Sequence, residues 1–175
     1  MRSERRNVRI LFQTAIPAAV LGILSAPVPA FAASASANLT VSATVVNNCV
    51  ISTAALAFGP YDPVDVNAAA DLDGTGTVTV ACTKGATATV GLGLGSNASG
   101  STRRMSDGSG NFLVYEMYQD AAHTTVWGDA DPDWLSPAAA PSKAARNFTV
   151  HGQVTSNQDV PAGAFTDTVV ATVNF

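Results

Sequence analysis

Charge is scarce in this chain of 175 residues: 13% of them are Asp, Glu, Lys or Arg, about half the usual ~25%. That excludes a charge-rich disordered chain. It also speaks against long amphipathic helices, whose outer faces need Glu, Lys and Arg. The formal net charge of −4 removes the electrostatic footing for nucleic-acid binding, and no nucleic-acid partner is expected. Histidine occurs only as His123 and His151, and there is no G-x-S-x-G elbow. Without such a convergent polar set the chain is expected not to be an enzyme. No cofactor is expected. Cysteine also occurs twice, as Cys49 and Cys82, 33 positions apart with no neighbouring histidine. That is too sparse for a zinc site. Sustained helical periodicity is missing as well.

What charge there is lies unevenly. The first nine residues hold Arg2, Arg5, Arg6 and Arg9, four of the nine basic side chains. An apolar stretch over 10–24, Pro27, Pro29 and Ala30-Phe31-Ala32 follow. A basic start, an apolar centre and an A-x-A end make a secretory signal peptide over 1–32. A membrane anchor is the alternative, but a span needs about 20 apolar residues without such breaks. Cleavage is expected after Ala32, with Ala33, Ala35 and Ala37 as alternatives. Removing 1–32 takes four arginines and Glu4 away, which leaves five basic and twelve acidic side chains and a net charge of −7. Eleven of those twelve acids are Asp, whose short side chain bonds local backbone in turns and caps. No later segment is long and apolar enough to span a bilayer. In an oxidising compartment Cys49–Cys82 is the one possible disulfide. It closes a loop of about 34 residues, worth on the order of 3–4 kcal/mol in the chain-entropy account.

The rest of the chain alternates with a period of two. Residues 77–82 place Val78, Val80 and Cys82 on one face, and 87–94 place Ala88, Val90, Leu92 and Leu94 together. Residues 147–154 put Phe148, Val150 and Val154 inside. Residues 112–118 are apolar on both faces, as in a strand inside a sheet. Shorter strands are expected at 50–52, 56–58 and 124–127, and one helical turn within 64–72. Gly-, Pro- and Asp-rich clusters separate these runs. Many short strands with such turns predict an all-β sandwich or barrel.

Two stretches do not fit a closed sheet. Residues 38–46 alternate Leu39, Val41, Ala43 and Val45 against Thr40, Ser42 and Thr44, just after the leader. Residues 167–175 alternate Val169, Ala171, Val173 and Phe175, and the sequence at hand carries no further strand beyond them. An uncovered apolar edge invites pairing with another chain. Either 38–46 is simply the first strand of its own domain, or it adds to the terminal edge of the next molecule. The second arrangement is head-to-tail, does not close, and builds a filament.

Local motifs bear on that choice. Cys49-Val-Ile-Ser, Leu56-Ala-Phe-Gly-Pro-Tyr-Asp-Pro63 and Gly76-Thr-Val-Thr-Val-Ala-Cys-Thr83 resemble the start of the spore coat protein U domain. Arg104-Met105, Leu113-Val-Tyr-Glu-Met-Tyr118, Trp127-Gly128 and Val150-His-Gly152 continue the resemblance, as do Gln158, Pro161-Ala-Gly163 and Phe165-Thr-Asp-Thr-Val169. The motifs occur in order over about 38–175. Phe165 stands where the family's G-x-Y-x-D-T ending has its tyrosine. The loops at 96–111 and 128–146 match no motif. The family includes the pilin subunits of archaic chaperone–usher pili. The resemblance implies an incomplete immunoglobulin-like β-sandwich lacking its final strand, with an N-terminal donor-strand extension. It implies an extension at 33–48 and the sandwich at 49–175. The donor face is then Leu39, Val41, Ala43 and Val45, and the acceptor edge Val169, Ala171, Val173 and Phe175. The disulfide ties the first strand to the second. The implied partners are a periplasmic pilus chaperone, an outer-membrane usher, and identical or related pilin subunits. The implied location is the cell surface, reached by secretion through the periplasm. A spore- or cell-coat protein of the same fold is the alternative, and a single-domain adhesin for a surface glycan another.

Two polar clusters remain. Asp129, Asp131 and Asp133 alternate as calcium ligands do, but Pro132 and the missing closing Glu favour a solvated turn, and no metal is expected. Arg103-Arg104 suits a turn or an ion pair.

Overall fold

The computed structural model describes residues 31–175. The predicted leader therefore lies outside the described residues, save its last two positions. Residues 31–42 belong to a unit separate from residues 43–175; they are exposed and have no regular secondary structure.

Among the described residues the alternating runs become seven antiparallel strands. These are β1 (Cys49–Ala57), β2 (Leu72–Cys82), β3 (Thr89–Leu92), β4 (Arg104–Ser106), β5 (Phe112–Tyr118), β6 (Arg146–Val154) and β7 (Ala171–Asn174). Five of them form one sheet in the order β1-β2-β6-β5-β4, and β3 pairs with β7 in a second. A 3-10 turn at Val66–Ala68 is the expected short helical segment. Among the described residues no helix is long and apolar enough to cross a membrane.

Strand faces follow the sequence because successive side chains point to opposite sides. Val78, Val80 and Cys82 of β2 are buried, as are Val90 and Leu92 of β3 and Val150 and Val154 of β6. Leu113, Tyr115 and Met117 of β5 join them. Phe148 is only half-buried. The apolar outer residues of β5 fit its place between β4 and β6. Cys49 and Cys82 stand opposite one another in the β1–β2 register and are bonded.

Several local expectations change. The short strands at 50–52 and 56–58 are one strand, β1, with a register shift between Ala54 and Ala57. The strand at 124–127 reduces to a single bridge, Tyr118 to Val126. Asp120 takes that segment over: its carboxylate accepts from the amides of Ala122, Thr124 and Thr125. These bonds hold the Asp120 carboxyl at about 2. Leu94 is 38% exposed instead of inward. β3 ends before it, where Gly95 turns the backbone at φ +91.

Candidate functional site

Each sheet ends on a strand with one free edge. Among the described residues β1 closes the five-stranded sheet and pairs only with β2. The far edge of β3 is covered: Val90 exchanges backbone hydrogen bonds with Leu135, and the Leu92 amide donates to Gly128. β7, by contrast, has no strand on its other side among the described residues. The Cα atoms of β1 and β7 come within 8 Å of each other.

Between them runs an apolar groove. One cavity of about 390 Å³ has Gly76, Val78, Met117 and Val150 in its lining, with Val169 and Ala171 on the β7 side. A second, of about 810 Å³, continues toward Tyr61, Val154 and Val160. The two share Leu56, Met105 and Phe165. Leu56 and Phe58 follow the β1 bulge and reach onto the sheet's inner face, because three glycines leave room there. A Cβ on Gly152 would stand 2.7 Å from the Leu56 Cδ2 and 2.8 Å from the Phe58 ring. One on Gly76 would meet the Leu56 backbone at 3.1 Å, and one on Gly74 the Ala57 carbonyl at 2.8 Å.

One polar contact lies in the groove wall. The Tyr115 hydroxyl donates to Asp167 Oδ2 at 2.8 Å. Burial, and then Asp167, push the Tyr115 phenol well above its ordinary range. Asp167 Oδ1 accepts from the Asn97 amide and side chain, each at 3.1 Å. Tyr115 also meets the Phe58 ring edge-on at 6.0 Å between centroids. The segment before β7 is thus fixed from below, with its outer edge left open.

The predicted acceptor residues divide. Val169, Ala171 and Val173 are half-buried on one face, while Val170 is 68% exposed on the other. Val169 and Ala171 line the groove. Phe175 does not continue that face and is 55% exposed, because the β3 partner register ends at Asn174 opposite Thr89. The predicted donor residues Leu39, Val41, Ala43 and Val45 are all exposed and irregular, Leu39 at 88%. An isolated extended segment has no neighbour to complete its backbone hydrogen bonds, so it forms no strand.

Arg103 is the ion-pair half of its two expected roles. It is 1% exposed and pairs with Glu116, donates to the carbonyls of Leu92 and Trp127, and reaches the Gly93 carbonyl twice. Glu116 is the single glutamate beyond the predicted leader, the one sequence signal for this pairing. Arg104 stacks 3.9 Å over the Phe112 ring. The aspartates at 129–133 form a turn in which the Gly128 amide donates to the Asp133 carbonyl. His123 and His151 sit with ring centroids 6.5 Å apart, and His123 Nδ1 lies 3.1 Å from the Gln153 amide nitrogen. Gln158 was only a matched letter in the sequence. Its side-chain amide pairs with both the amide and the carbonyl of Val114, as a strand would.

Comparison with known proteins places this architecture. The chain is 40% identical over 160 residues to Protein U of Myxococcus xanthus, covering 84% of this chain and 88% of that one. A similar solved structure is a chain of the CsuC–CsuE chaperone–tip adhesion subunit pre-assembly complex from the archaic chaperone-usher Csu pili of Acinetobacter baumannii. The TM-score is 0.51 at 24% identity, over 75% of this chain and 40% of that chain's length. That likeness concerns the fold. Residues 35–172 match the Spore Coat Protein U domain, and the chain belongs to the Spore Coat Protein U domain family.

Proposed function

We propose that this chain is a structural subunit of a surface pilus, assembled by the chaperone–usher route through donor-strand exchange. In this reading 1–32 is a leader removed on export, 33–48 is the donor extension, and 49–175 is an immunoglobulin-like sandwich without its last strand. The observation that carries it is the groove between the free edges of β1 and β7. Its floor is apolar, and exposed Leu39, Val41, Ala43 and Val45 have the alternation that suits such a groove. A strand seated between two others needs about 9.6 Å between its neighbours, twice the usual strand spacing. Their present approach to within 8 Å means that the incoming strand spreads the edges apart. A periplasmic chaperone is the partner that fills the groove before a second subunit does, and the usher is where they exchange.

The test is deletion of residues 38–46 with Cys49 retained. The variant is expected to bind its chaperone and to form no fibres; fibres of normal length would sink the proposal. Val41→Asp should also cut fibre yield sharply, because a buried unpaired charge costs several kcal/mol. A second reading, a coat layer on a spore or cell, draws on the family's description. It uses the same edges and predicts sheets instead of threads under the electron microscope.

A further inference from the structure

The root of the N-terminal segment is held more firmly than its exposure implies. Residues 43–48 are exposed and form no strand. Thr83, just past β2, nevertheless grips them at two points. Its hydroxyl accepts from the Asn48 amide at 3.1 Å and lies 3.1 Å from the Val46 carbonyl. Its own amide donates to the Asn48 carbonyl at 2.8 Å. A hydroxyl has one hydrogen to give. The Asn48 carbonyl, 3.4 Å from it, is already served by the Thr83 amide, so that hydrogen goes to Val46. The Cys49–Cys82 bond lies immediately alongside and keeps the root from sliding along β2.

The backbone is thus tied to its own domain as far back as the Val46 carbonyl. The apolar alternation of the donor segment ends one residue earlier, at Val45. No spacer separates the part that would enter a neighbour from the part that is anchored at home. A flexible linker lets its ends wander by about 5–6 Å times the square root of its length; here that length is close to nil. We infer that Thr83 is a positioning residue that sets the direction in which the segment leaves its domain, and with it the angle between successive subunits of the polymer. The inference rests on the donor-strand reading above.

Thr83→Val and Thr83→Ser test it, since Val keeps the shape without the hydroxyl and Ser keeps the hydroxyl. In the isolated full-length mature protein, Asn48 amide exchange followed by NMR should quicken at least tenfold in T83V and stay at the wild-type rate in T83S. In fibres sheared from the native host, cryo-electron microscopy should find one narrow inter-subunit angle for wild type and T83S. T83V fibres should have a broad distribution and a persistence length at least twofold shorter. T83V fibres with the wild-type angle, or unchanged Asn48 exchange, overturn the role of Thr83 alone. Absence of fibres from the wild type itself overturns the donor-strand reading, and this inference with it.

Discussion

Val80, Val90 and Trp127 are each at most 1% exposed. On the groove's rim, Leu56, Phe58, Phe165, Val169 and Ala171 are apolar too, yet all are only half-buried. Residue chemistry does not distinguish the two regions; neighbours do. The closed region has strands on both sides, the indole N–H of Trp127 donating to the Val90 carbonyl, and Arg103 drawing carbonyls of two segments together. The groove region has the same kind of floor without a strand above it. Close packing and full burial need atoms on every side, and the rim lacks them on its open side. The half-buried rim is the surface that the proposed donor strand covers.

Breaking the closed region should cost most. Arg103→Ala leaves Glu116 and several buried carbonyls without their donor, which should lower unfolding stability by about 3–5 kcal/mol in urea titrations. Arg103→Lys should recover little, because an ammonium cannot reproduce the planar fork. A matched pair of substitutions sharpens the contrast. Val90→Ala should cost about 2–3 kcal/mol from two lost methyl groups and the cavity left behind. Val169→Ala should cost about 1 kcal/mol or less in the lone subunit, while still weakening assembly. Equal losses at the two valines would abolish the distinction. The smallest effect concerns the Asp120 turn. Its carboxyl titrates at about 2 in the fold against about 3.9 in an unfolded chain. Its contribution is therefore complete above about pH 4 and lost as pH falls toward 2. Amide exchange at Thr124 and Thr125 should rise in that window, with the disulfide-side core unaffected.

Much of this architecture is legible in single runs of residues. The faces of β2 and β6, the interior position of β5 and the Cys49–Cys82 pairing all follow from period two and from the expected export. The readings that changed lie where a group outside the run of residues intervenes. Residues 124–127 have the composition of a strand, but Asp120 offers their amides a nearer acceptor. Phe175 has the right parity and no β3 residue left to pair with. The β1 bulge needed Gly76 and Gly152 on two other strands before Leu56 and Phe58 could settle there. For the groove, Val169 and Ala171 were predictable as its apolar rim. Tyr115, Met105 and Leu56 were not, since nothing local marks which inward residue lies beside an open edge.

Alternation, cysteine number and the scarcity of charge are properties of the chain read in order, and they suffice for an all-β domain with known inward faces. Which edges stay open, where Arg103 spends its donors, and why Thr83 holds Val46 depend on segments far apart in sequence meeting in space. Such meetings are set by closure of the two sheets around a shared core, a long-range balance of burial and hydrogen bonding that no short window of residues contains.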